Sequence, residues 1–98
     1  MNSNYNLDKT ILNDIINLAQ KCNIKKIILF GSRARRDNKE KSDIDLALSG
    51  GDINRFKAEI DEEAKTLLMF DVVNLDIKNQ EGILNSIEEE GIVLYEKI

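Results

Sequence analysis

The chain reads as an α/β fold: one small domain over residues 1–98, with a mixed β-sheet of about four strands and helices chiefly on one face. Two observations predict it. Stretches with apolar residues three and four apart alternate with short aliphatic and β-branched runs, in the order helix, strand, short helix, strand, helix, strand, helix, strand. A length of 98 residues with 42% apolar content suits one core, and no repeat, low-complexity segment or linker divides it.

Leu7, Ile11, Ile15, Leu18 and Cys22 step by four, four, three and four, which gives residues 7–22 one buried helical face with Asn6 placed to cap it. Lys21 near the end suits the helix dipole, and Cys22 is expected to be a buried or half-buried structural thiol. A first strand then runs through Ile27, Ile28 and Leu29 to Phe30, without polar alternation, as expected of a strand covered on both faces. A second strand, Ile44 to Leu48, ends at the turn Ser49-Gly50-Gly51. Asp52 is placed to cap a helix that buries Ile53, Phe56, Ile60, Ala64 and Leu67 or Leu68, while its acids and lysines form a solvated face. The third strand spans Phe70 to Asp76. A last helix, from about Gln80 to Glu90, presents Ile83, Leu84 and Ile87 on one side, stops at Gly91 as C-cap, and leads into a short strand from Ile92 to Tyr95.

What is missing narrows the chemistry. With no histidine, a Ser-His-Asp triad and a histidine general base are excluded; with one cysteine, so are an intramolecular disulfide and a multi-cysteine metal cluster. Any reaction must use carboxylates, hydroxyls, amines and bound metal. A net charge of -4 argues against non-specific nucleic-acid binding, which draws on neutralised phosphates. No apolar run approaches the ~18 residues of a membrane helix, and the polar start Met1 to Asn6 lacks a signal-peptide core, so a cytoplasmic protein is expected.

The chemistry concentrates between residues 31 and 45. Gly31-Ser32 directly follows the first strand, where a tight turn or helix start aims backbone N–H groups outward and favours an anion. Asp43-Ile44-Asp45 opens the second strand, and residues two apart share a face, so the two carboxylates lie side by side. Like charges that close call for a cation or a shared proton, and hard oxygen donors suit Mg²⁺. A phosphate cradle beside a carboxylate pair describes a nucleoside triphosphate with its metal. Between them lie Arg33, Arg35, Arg36, Lys39 and Lys41, relieved only by Asp37 and Glu40. Asp71, in an apolar strand, is costly unless it faces a partner. Asp76, at that strand's far end, suits a loop cap.

The pattern Gly31-Ser32-Arg33-Ala34-Arg35, followed by Ser42-Asp43-Ile44-Asp45-Leu46, resembles the nucleotidyltransferase superfamily with a DNA polymerase β-like palm. More narrowly it is similar to the minimal nucleotidyltransferase domains of toxin–antitoxin pairs, and the tail Ile87 to Glu96 shares the likeness. The resemblance implies a palm-like sheet and transfer of AMP from ATP to an acceptor hydroxyl with two Mg²⁺ ions. It assigns Asp43, Asp45 and Asp71 as catalytic and metal-holding residues, with Asp71 completing the set from the third strand. Gly31 and Ser32 would hold the β- and γ-phosphates, with Arg33 or Arg36 adding charge. Arg36 stands where many relatives carry glycine, which makes a left-handed backbone there cost about 1 kcal/mol.

The resemblance further implies an acceptor on another protein, a HEPN-family toxin, with this chain as its antitoxin. Two other readings stand beside it: an antitoxin that acts by binding alone, and a small-molecule transferase of the aminoglycoside type working as a homodimer.

Overall fold

The first helix begins where a side chain can take up its leading amides. In a computed structural model, which describes residues 7–77 and 81–97, helix α1 runs Lys9–Lys21. Asp8 caps it, its Oδ1 accepting from the amide of Thr10 at 2.9 Å; Asn6, the cap expected from the sequence, lies outside the described residues. Its apolar stripe is buried as the spacing predicts, through Ile11, Ile15 and Leu18 to Cys22, whose thiol pKa burial pushes up.

Strand β1 (Lys26–Phe30) follows, then a single helical turn α2 (Ser32–Arg35), strand β2 (Ile44–Ser49) and helix α3 (Ile53–Glu63). Asp52 caps α3 as expected, accepting from the Arg55 amide at 3.1 Å. Helix α3 is shorter than its apolar spacing suggests. The chain turns extended at Ala64, and the Lys65 amide is taken by Asp14 Oδ2 at 3.0 Å, so the helix stops before Leu67. Leu67 is fully exposed, while Leu68 packs against the core.

Strand β3 (Phe70–Asn74), helix α4 (Glu81–Glu90) and strand β4 (Ile92–Glu96) complete the fold. The third strand ends at Asn74 and not at Asp76, because the Asp76 amide donates to Asn74 Oδ1 at 2.8 Å and turns the chain. Asp76 then accepts from the Gly50 amide at 3.0 Å, the loop cap its position suggests. The start expected for the last helix, Gln80, lies outside the described residues.

The four strands form one mixed sheet in the order β3-β2-β1-β4. Strand β1 pairs antiparallel with β2 and β4, and β2 pairs parallel with β3. Opposed residues in neighbouring strands share a face, so the register sorts the side chains. Ile27 with Leu48, Leu29 with Leu46, and Leu46 with Val72 form the buried face, closed by Ile15, Leu18, Phe56 and Ile60 from α1 and α3. Phe30, Asp45, Asp71 and Ala47 belong to the other face.

Helix α4 packs on β1 beside that second face. Gly91 sits so close to the sheet that a β-carbon there would run into Ile28 and the Ile87 carbonyl. Close approach, rather than a left-handed C-cap, is what requires glycine at this position. Ile87 is buried, whereas Ile83 and Leu84 on the same helix stay exposed. Among the described residues no helix is long and apolar enough to cross a membrane.

Candidate active site

The site forms where β1 ends. Gly31 has φ 77° and ψ -156°, a backbone state for which only glycine is suited. A second constraint acts there: a β-carbon on residue 31 would overlap the Asp45 carboxylate. The turn is thus in contact with the strand acid. Gly31 brings no capping side chain to α2, whose first residue, Ser32, is half-buried.

Asp45 lies opposite Phe30 on one side and Asp71 on the other, so Asp45 and Asp71 are neighbours on one face of the parallel β2–β3 pair. Asp43 precedes Asp45 by two residues and is exposed, as is Asp71. Burial is the main reason the Asp45 carboxyl is pushed up to about 6, with the charges of Asp71 and then Asp43 adding to it. Among the described residues, no three acidic, cysteine or histidine side chains are drawn together at metal-ligand spacing. Asp45 and Asp71 are neighbours in register, and the charges of Asp71 and Asp43 both reach Asp45 through space. Their donor chemistry fits a divalent cation: hard oxygens, and a mutual repulsion that such a charge would reverse.

The three arginines of the motif go to different places. Arg33 is 5% exposed and turned into the loop that follows α2. Its Nε donates to the Ser42 carbonyl at 3.2 Å, and its Nη2 donates to the carbonyls of Ser42 at 3.0 Å and Glu40 at 3.2 Å. The guanidinium of Arg33, one of the two arginines expected to add charge at the phosphates, is thus engaged by backbone oxygens of the loop. Arg36 adopts the left-handed conformation at φ 67° and ψ 24°, with its side chain exposed. The strain anticipated for a non-glycine residue there is present.

Arg35 and Glu90 are the residues that sequence reasoning passed over. Arg35 Nη1 donates to Glu90 Oε2 at 2.9 Å and Oε1 at 3.1 Å, and Nε donates to Asp37 Oδ2 at 3.0 Å. The positive charge of Arg35 pulls the Asp45 carboxyl down, against burial and the charges of Asp71, Asp43 and Glu90, which raise it. The available signal was the one-turn length of α2, which sends residues 33 and 35 in different directions.

A profile for the family "Polymerase beta, Nucleotidyltransferase" matches residues 13–98. The chain belongs to that family. It is similar to a Methanocaldococcus jannaschii protein named "Putative protein adenylyltransferase MJ0604", with 44% identity over 74% of this chain and 79% of the relative. Among solved structures, a toxin–antitoxin complex crystallised with AMP-PNP superposes with a TM-score of 0.70 at 26% identity, covering 88% of this chain and 73% of that one. The MntA–HpeT toxin–antitoxin pair superposes at 0.69 over the same shares; at 24% identity it speaks to the fold. The likeness is to nucleotidyltransferases of the minimal type, and the four-stranded mixed sheet with its helices is theirs.

Proposed function

We propose that this nucleotidyltransferase moves AMP from ATP onto a hydroxyl of a partner protein, with Mg²⁺ as the metal, and that the partner is a HEPN toxin which the chain restrains as an antitoxin. The observation that carries the reading is the register that sets Asp45 beside Asp71, with the Gly31 turn in contact with Asp45. A protein-adenylyltransferase relative supports the donor and the kind of acceptor, and a toxin–antitoxin neighbour solved with AMP-PNP supports the partner class.

Asp43, Asp45 and Asp71 would hold the metal, which when bound supplies charge neutralisation for the triphosphate and lowers the pKa of the attacking hydroxyl. The acceptor oxygen forms a bond to the α-phosphorus as the bond to the bridging oxygen breaks, and pyrophosphate leaves. Asp71, the more exposed partner of the β2–β3 pair, takes the acceptor's proton. Ser32 and the backbone amides of the Gly31 turn bind the terminal phosphates, and Arg35 and Arg36 provide positive charge where it accumulates on the leaving group.

The test is the intact mass of the protein encoded beside this one, after incubation with this chain, ATP and Mg²⁺. The expected result is a gain in whole AMP increments that disappears when Asp43→Ala and Asp45→Ala are combined. A tight complex that restrains the partner with no mass gain would overturn the catalytic account and favour antitoxin action by binding alone.

A further inference from the structure

We infer that Arg33 is a positioning residue, which acts by clamping the loop between α2 and β2 so that Asp43 is presented beside Asp45. The inference rests on the metal-and-nucleotide reading above and assigns a second role within the same motif. Asp43 is exposed, so packing of its own side chain does not fix it. The backbone on both sides of it is held instead. On the upstream side, two guanidinium nitrogens of Arg33 converge on the Ser42 carbonyl and one of them also reaches the Glu40 carbonyl. On the downstream side, the Ile44 amide donates to the Met69 carbonyl at 2.9 Å, where β2 begins its pairing with β3.

The rest of the loop is built to be gripped at that point. The Lys39 amide donates to Ser42 Oγ at 2.8 Å, and the Ser42 amide donates back to the Lys39 carbonyl at 3.1 Å, closing a small turn. That turn directs the Glu40 and Ser42 carbonyls to one guanidinium. Its planar fork can serve both, whereas an ammonium is a single point charge. Two carbonyls satisfied by one buried cation also account for how an arginine can be 5% exposed in a chain this small. Arg33 belongs to the same helical turn as Ser32, so the phosphate turn and the first carboxylate are set by one rigid piece.

The experiment compares the wild-type chain with Arg33→Met by amide hydrogen exchange and by binding of Mn²⁺ alone. If the clamp acts as described, the Lys39 and Ser42 amides exchange at least tenfold faster in the variant, with exchange in β1 unchanged. Mn²⁺ binding weakens by roughly tenfold, as when an outer partner of a metal ligand is lost. Unchanged loop exchange in a folded variant overturns the clamp. Should Arg33→Met fail to fold, Arg33→Lys replaces it, with the same direction and a smaller change expected, and no change again overturning the idea. Asp45→Ala separates the two layers: if wild type and that variant bind Mn²⁺ equally, the metal reading fails, while loop exchange still decides the clamp.

Discussion

Gly31 and Asp45 occupy adjoining space so closely that the first atom of any side chain at position 31 would coincide with the carboxylate of Asp45. The Gly31 turn and the strand acid are in consequence one structural unit, joined across the β1–β2 pair at Phe30 and Asp45.

Gly31→Ala should therefore harm both halves at once. The backbone state alone costs a non-glycine residue about 2 kcal/mol, which urea unfolding will read. Asp45 must also move aside, and a displacement of that kind near reacting atoms is expected to lower AMP transfer by about 100-fold.

Asp45 makes the stability of the ion-free chain depend on pH. Its carboxyl is raised to about 6 in the folded state, so between its ordinary range and that value the folded chain keeps a proton that the unfolded chain gives up. Stability from this group is fully present at low pH and falls as pH rises through that window. In a chelator, Asp45→Asn should melt higher than wild type at a pH of about 7.5 and close to it at about 4. Mg²⁺ should raise the wild-type melting temperature more at the higher pH, and the variant's much less.

Arg35→Ala separates charge at the site from stability. Its ion pair with Glu90 is partly exposed and its pair with Asp37 more so, and solvent screening leaves both with little part in holding the fold. Melting should shift little, while kcat/KM for ATP drops by about 100-fold, as when one positioned donor is removed. Glu90→Gln, which leaves the guanidinium in place, should cost much less activity.

Arg36→Gly is expected to stabilise the chain. Position 36 is left-handed at φ 67°, and glycine takes that conformation without the penalty of a β-carbon. A gain of about 0.5–1 kcal/mol in denaturant unfolding is the expected outcome, with AMP transfer kept if Arg35 carries the main charge.

Much of this architecture was legible because it is written in periodicity. The two-residue spacing put Asp43 and Asp45 on one face of β2, and the family resemblance added Asp71; that Asp71 lies directly beside Asp45, with Leu29, Leu46 and Val72 on the opposite face, comes from the strand register. What could not be read depends on contacts distant in sequence. Helix α3 ends where Asp14, 51 residues upstream, takes the Lys65 amide, although the apolar spacing continues to Leu67. The third strand stops at Asn74 because its own side chain turns the next residues. Among the arginines, composition gave no means to choose; only the direction of one helical turn shows that Arg33 faces the loop and Arg35 pairs with Glu90 and Asp37.

The parallel pairing of β2 with β3 has a bearing on how the chain becomes competent. Asp43 and Asp45 stand together as soon as the β1–β2 hairpin forms, but Asp71 joins them only after α3 has crossed over and β3 has docked in register with Asp45. Such long-range closure is the slow kind of step in forming a sheet. A chain arrested at the hairpin would hold two of its acids and lack the third. The three acids thus come together only with the finished sheet, and a partly folded molecule lacks the full set of carboxylates proposed to hold the metal.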